Sequence, residues 1–311
     1  MVRGLLFAAV VLAPFCAWAA DAAPGVVTIL EGDALVYRGL GRVYAAEGMR
    51  LATGDIVETA ASSFAQVELV DGSVVQFGPS TRALLNSTPA KPRTERWWYV
   101  MNGWAKVISA KQQADTGPGF DIRTRQFWMS SSPSTIVFHL TASPELNLFV
   151  ESGQVQLAER QAGAQTAPVA LRAGDYYRRK AGSEGSVNTE GHSAFINEMP
   201  RGFRDTLPSR LKRFRDVDVK PKTAPDFSYS DVEDWLNGET WMRRPLVQRW
   251  RPKTRDPAFR SALIANMSAH PEWDRILFPE KYLPKETPPT RAVPPASATV
   301  DSSTRPSPRL P

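Results

Sequence analysis

Apolar and polar residues alternate with period two through much of residues 24–198, and Gly-Asp or Asp-Gly pairs punctuate the alternation. Ala65, Val67 and Leu69 alternate with Gln66 and Glu68; after Asp71-Gly72 the pattern resumes at Val75 and Phe77. Such alternation marks half-buried antiparallel strands. A two-residue Asp71-Gly72 loop would set Val67 opposite Gln76 and mix the faces. A three-residue loop, Val70-Asp71-Gly72 with Gly72 left-handed, instead pairs Val67 with Val75 and Ala65 with Phe77. Gln66 and Glu68 then face Gln76 and Val74 on a wet second face. The three-residue register is the prediction.

A second hairpin signal lies at Leu30-Glu31-Gly32-Asp33, between Val26–Ile29 and Ala34–Tyr37. Glu31, Leu35, Leu51 and Gly54-Asp55 recur 120 positions later as Glu151, Val155, Leu171 and Gly174-Asp175. The echo, about 26–60 and 146–180, suggests a repeated strand–turn–strand unit. The predicted fold class is mainly β: an antiparallel β-sandwich of repeated hairpins over 24–198, then a small α-helical module over 199–283.

That module is read from helix signals. Ser230-Asp-Val-Glu233 matches a capping box before Trp235 and Leu236. Asp256-Pro257 opens a second helix with Phe259, Leu263, Ile264 and Met267 at helical spacing, stopped near His270-Pro271. Residues 201–214, with Phe203, Leu207, Leu211 and Phe214, suit a helix or two around Pro208. Each is too short to stand alone in water, so all must pack on the β-domain or on each other. From Pro284 onward the sequence is Pro-, Ser-, Thr- and Ala-rich. The prediction for 284–311 is a disordered tail.

The N-terminus changes the picture of where this fold works. Arg3, the apolar run Leu5–Ala13 and Ala17-Trp18-Ala19 read as a signal peptide over 1–19, cleaved after Ala19 or Ala22. Nine apolar residues span about 14 Å, roughly half a bilayer core, too short for an anchor. Pro14-Phe15 before Cys16 does not suit lipidation. Cleavage removes Cys16, the only cysteine. The expected product is a periplasmic protein with no disulfide, no thiol chemistry and no transmembrane segment.

The formal charge of +6 is uneven: residues 201–260 hold 15 basic and 9 acidic residues, and the rest is near balance. Export argues against nucleic acid as the partner. Anionic lipid headgroups, acidic glycans or an acidic protein face remain for a basic face at Arg243, Arg244, Arg249 and Arg251. The bland alternative is a solvated helical surface.

Candidate chemistry is sparse. His139, His192 and His270 lie at least 50 residues apart, and no metal-ligand spacing appears. His270, ending a helix, would complement its dipole. Gly72-Ser73 and Gly182-Ser183 lack a nucleophile's turn. Glu68 and Asp71 flank a turn, and Asp55 and Asp175 share one, so turn chemistry explains them. No enzyme activity, metal or cofactor is expected. The aromatic set Trp97, Trp98, Trp104 and Trp128 is the best binding candidate. If Trp97 and Trp98 share a strand they face opposite ways, so one of them leaves the β-core to meet the helices or a ligand.

The run Gly48–Asp55, Glu58-Thr59, Ala65-x-Val-x-Leu-x-Asp-Gly-Ser73, Phe77 and Pro79-Ser80 resembles the FecR periplasmic domain. Phe120–Thr124, Leu148–Val155 and Leu171–Gly174 resemble its second half, and the resemblance spans roughly 25–182. These are scaffold positions, which specify a fold better than a function. Regulators of this family carry a cytoplasmic segment and a membrane helix and control a sigma factor. This sequence instead has a cleavable signal, and Phe127–Ser132 stands where a Gly-rich turn is expected. The resemblance therefore implies an exported, stand-alone FecR-like protein. Its expected function is non-catalytic binding or scaffolding in the cell envelope, with a protein partner. The alternative is a glycan-binding module built on Trp97, Trp98 and Trp104; a hydrolase with a His-centred site is the third reading.

Overall fold

The computed structural model describes residues 25–88, 95–110, 121–131, 133–143, 145–161, 164–217 and 219–283. The predicted signal peptide and C-terminal tail lie outside these. The first half contains β1 (Gly25–Glu31), β2 (Ala34–Arg38), β3 (Gly41–Tyr44), β4 (Arg50–Leu51), β5 (Ile56–Thr59), β6 (Phe64–Leu69), β7 (Val74–Phe77), β8 (Arg82–Thr88) and β9 (Glu95–Ile108). The second contains β10 (Asp121–Arg123), β11 (Phe127–Ser131), β12 (Thr135–Leu140), β13 (Leu146–Ser152), β14 (Gln154–Gln161), β15 (Ala164–Gln165), β16 (Val169–Arg172), β17 (Tyr176–Arg179) and β18 (Ser186–Val187).

Two layers share β9. Layer A runs β4-β1-β6-β7-β9-β12-β13-β17-β18, antiparallel throughout. Layer B runs β3-β2-β5-β8-β9-β10-β11-β14-β16, with β10 parallel to β9. The N-terminal part of β9 pairs in layer B and its C-terminal part in layer A. The change falls at Gly103, with φ 103°, where an added Cβ would lie 2.4 Å from Thr81 Cα. No side chain fits that crossing, so glycine is required there. Between the layers Val67, Phe77, Phe138 and Leu148 meet Val57, Leu85, Trp98, Met129 and Leu157 in one apolar core.

The β6–β7 hairpin has the predicted register: Ala65 faces Phe77, Gln66 faces Gln76 and Val67 faces Val75. Gly72 has φ 86°, and Asp71 accepts the Ser73 N–H at 2.8 Å. The second face is not wet, however. Gln66, Glu68 and Gln76 are buried, because residues 199–214 cross over them.

The expected hairpin over 26–37 is corrected. β1 pairs with β4 and β6 while β2 pairs with β3 and β5, so the turn at Gly32 is a corner between layers. Its echo, β13 to β14, is a corner too. The echo is real at the later turn. Asp55 accepts the Ala52 N–H at 2.8 Å and Asp175 the Arg172 N–H at 2.7 Å. Gly54 and Gly174 have φ 89° and 93°. It fails in the strands: Val155 faces the core, whereas Leu35 packs outward against the helices.

Among the described residues the last strand ends at Val187, short of the predicted 198, with only an isolated bridge at Thr223 beyond it. The helices are α1 (His192–Glu198), α2 (Arg201–Arg204), α3 (Tyr229–Leu236), α4 (Thr240–Trp250), α5 (Pro257–Ala265) and α6 (Asp274–Leu277). The capping box sits two residues earlier than predicted: Ser228 is the N-cap and its N–H donates to Asp231 at 2.7 Å. Asp256 caps α5 as predicted. Of the expected α5 stripe, Phe259 and Leu263 are buried but Ile264 is exposed.

Candidate functional site

Alternation along β9 decides where its tryptophans go. Trp98 enters the core between the layers, edge-on to Phe77 at 5.0 Å. Trp97 and Tyr99 leave layer B on its outer face and meet α3 and α4, with Trp97 5.6 Å from Trp241 and Tyr99 6.1 Å from Trp235. Past the crossing, Trp104 leaves layer A on the other side and stacks on His139 at 4.3 Å and on Phe195 at 5.1 Å. Trp97, Trp98 and Trp104 are all buried. An exposed sugar platform built from them is therefore corrected: one ring fills the core and two are covered by helices.

Trp128 is different. It is half-buried and stands opposite Arg123 across the β10–β11 pair, so both side chains leave layer B on one face. Thr124 closes the turn between them by accepting the Phe127 N–H at 2.8 Å. The Arg123 guanidinium lies 4.4 Å from the Trp97 ring centre and 4.6 Å from that of Trp128. From β14, Arg160 lies 5.4 Å over Trp241 and pairs with Glu239 at 3.2 Å. Glu239 in turn accepts the Tyr99 hydroxyl at 2.7 Å. Burial, then the Glu239 charge, holds that phenol far above its ordinary pKa, so it stays a donor.

Arg123, Trp128, Arg160, Gln165 and Trp241 thus line a cleft of about 250 Å³ between layer B and the first turn of α4. Each cation–π contact is worth about 0.5–2 kcal/mol, depending on how dry it is. Against that, Arg123 Nε and the indole N–H groups of Trp128 and Trp241 are buried without an acceptor. An unmet buried donor costs about 1–3 kcal/mol. The described lining consists of guanidinium, amide and indole groups with flat apolar walls, a composition suited to holding a guest.

The other predicted residues are engaged elsewhere. Arg243 is buried, paired with Glu272 at 2.8 Å, and donates to the carbonyls of Gly238 and Ala269. Arg249 donates to the Gly54 carbonyl at 2.5 Å. Arg244 and Arg251 are exposed. A single basic face of these four is therefore corrected, because Arg243 ties the helical module together and Arg249 ties it to the β-domain. Much of the local charge excess works in the same way, with Arg204 and Arg260 also donating to backbone carbonyls.

His139 lies against Trp104, and burial lowers its basicity while Glu198 opposes the shift. His270 is fully buried, its Nε2 3.0 Å from the Tyr229 hydroxyl. Burial, with Arg243 nearby, lowers its pKa, so the expected charged partner of a helix dipole is instead a neutral core group. Among the described residues no group of three or more His, Cys, Asp or Glu could hold a metal ion, and no helix is long and apolar enough to cross a membrane.

Sequence reasoning found Trp128 but missed Arg123, Arg160 and Trp241. Arg123 carried a signal, since it lies within the Phe120–Thr124 run that supports the family resemblance. Arg160 and Trp241 are joined to the site only by tertiary packing.

Comparison with known proteins bears on the β-domain. No curated protein matches the sequence. Two crystal structures of a proposed anti-sigma factor from Parabacteroides distasonis ATCC 8503 are similar at 16% and 17% identity, with TM-scores of 0.37 and 0.35. Each match covers 46% of this protein, which spans 64% and 65% of those structures. Overlaps this weak transfer no function. Residues 55–156 match the family model described as FecR protein, which covers β5 through the first part of β14. Residues 55–156 of this protein are thus similar to the FecR protein family.

Proposed function

We propose that this protein is a non-catalytic periplasmic binding protein of the cell envelope that engages a protein partner through the cleft beside α4. The observation that carries the reading is the cleft itself: two arginines held against tryptophan faces, beside indole N–H groups that lack acceptors. Arg and Trp in a partly desolvated pocket are the side chains that dominate protein interfaces. The FecR match supports a binding role in general, and the N-terminal pattern supports export. The glycan reading loses its platform with the burial of Trp97, Trp98 and Trp104. Attraction to anionic lipid loses Arg243 and Arg249 to internal bonds.

Two measurements on the tagged full-length protein test this reading. Fractionation with mass spectrometry should find the product in the periplasm, starting at Ala20 or Ala23. Affinity capture from envelope extract should retain a protein, and prior proteolysis of the extract should abolish retention. A cytosolic, uncleaved product would refute the compartment. Capture of nothing, or capture indifferent to proteolysis, would refute the protein partner.

A further inference from the structure

We infer that the cleft seats a carboxylate supplied by the protein partner, either an acidic side chain or a free C-terminus, flanked by an apolar or aromatic group. This rests on the protein-binding reading above and names what that site takes.

Donor balance narrows the guest. Arg123 Nε, Trp128 Nε1 and Trp241 Nε1 belong to lining residues, lack acceptors and are closed to solvent, so a guest meets them only once the lining rings move aside; Arg160 adds a second guanidinium at the lining. A guest that satisfies them must be an acceptor. A planar carboxylate matches the fork of a guanidinium, and an ionised acceptor makes the stronger bond. Arg123 is already fixed between two rings and Arg160 is fixed by Glu239 and Trp241, so little side-chain freedom is lost on binding.

Charge points the same way. Arg123 and Arg160 meet Asp121 at 3.5 Å and Glu239 at 3.2 Å, so each guanidinium is already partly balanced. A partly balanced pair of this kind suits a singly charged carboxylate better than a doubly charged phosphate.

The cavity's size limits the guest to part of a larger molecule. About 250 Å³ lies below the range of roughly 300–1,000 Å³ usual for whole small ligands. It can hold one side chain or terminal residue of a larger partner, with its flat apolar part against Trp128 and Trp241.

The test uses the full-length protein and simple probes. N-acetyl-L-phenylalanine presents a carboxylate beside a ring, and N-acetyl-L-phenylalaninamide differs only in lacking the charge. The indole N–H resonances are assigned with Trp128→Phe and Trp241→Phe, which keep a ring at each position. The acid should move both resonances and the amide should not. Arg160→Gln should weaken the response about 10- to 100-fold, the worth of a hydrogen bond to a charged group, while its thermal melt stays cooperative. Equal shifts with acid and amide would overturn the proposal in favour of a plain apolar slot. Tighter binding of inorganic phosphate or of glucuronate would overturn the peptide carboxylate, and silence with every probe would remove the carboxylate seat. Failure here is separable from failure of the protein reading. If extract capture succeeds while the probes are silent, only the carboxylate falls; if the acid binds but capture retains no protein, only the partner class falls.

Discussion

Both outer faces of this sandwich are covered, but with different chemistry. On layer B, Tyr37, Ile56, Leu84, Trp97 and Tyr99 form one apolar cluster with Phe227, Trp235, Leu246, Trp250, Phe259 and Trp273. Ion pairs bind its margin, among them Arg82 with Glu58 at 2.8 Å and Arg42 with Asp231 at 3.3 Å. Backbone bonds from Tyr44 to Lys222 and from Ala224 to Arg42 close the open edge of β3. On layer A a smaller cluster, with Phe64, Trp104, Phe195 and Phe203, sits beside a buried polar ladder. There Gln76 donates to Gln66 at 2.9 Å, Glu68 accepts from Ser209 and from the Arg210 N–H, and Lys106 donates to the Phe203 carbonyl at 2.6 Å. Apolar burial gains free energy wherever water is excluded, whereas each hydrogen bond of the ladder replaces one to water and nets only about 0.5–1.5 kcal/mol. The layer B cover therefore behaves as a second core. The layer A cover is held in register more than it is held tightly.

Three perturbations sharpen that contrast. Trp235, fully buried with its indole N–H 3.3 Å from Glu58, belongs to the second core. Its replacement by Ala should cost about 3–5 kcal/mol in denaturant unfolding and release α3 to α5 together. A loss below about 1 kcal/mol would show that the helical module is not integral. Glu68→Gln weakens the ladder under residues 209–210 and should cost about 1–2 kcal/mol. Hydrogen exchange should quicken in 203–214 while α3 to α5 stay protected. Faster exchange in both covers at once would erase the distinction.

The smallest effect is set by pH. His270 lies in the layer B cover and its folded pKa is lowered by burial. A base with a depressed folded pKa lends full stability above its ordinary value, near about 6.5, and loses it as pH falls, because the unfolded state takes the proton first. Melting temperature should thus decline from pH 7 toward pH 5, and His270→Gln should flatten part of that slope. An unchanged slope would mean that His139, lowered by burial in the other cover, sets the dependence instead.

How much of this could be read beforehand depends on the range of the interaction. The β6–β7 register was readable because alternation and an Asp-Gly loop are local and admit one consistent pairing. The turns at Asp55 and Asp175 were readable for the same reason. The corner at Gly32 was not, since a tight turn looks alike whether its strands pair with each other or with distant partners. Trp97 and Trp98 were correctly placed on opposite faces by period two, but only packing could say that both faces are covered. Both Ser228-x-x-Asp231 and Ser230-x-x-Glu233 fit a capping box, and Phe227 and Tyr229 at the helix entry are the buried residues that favour the earlier one. Helix α4 was unmarked because Pro245 interrupts it and its buried face includes Arg243. The cleft joins β10, β11, β14 and α4, and no local pattern links those segments.

The central claim is that the partner docks beside layer B, at the cleft, and not on the cover of layer A. Site-specific photo-crosslinking in intact cells tests it directly, with the reactive residue placed at exposed Gln165 on the cleft or at Arg201, whose side chain is 94% exposed on the opposite cover. The account predicts a discrete protein adduct from position 165, lost in the Arg160→Gln background, and none from position 201. Adducts from 201 alone, or adducts from 165 indifferent to Arg160→Gln, would contradict it.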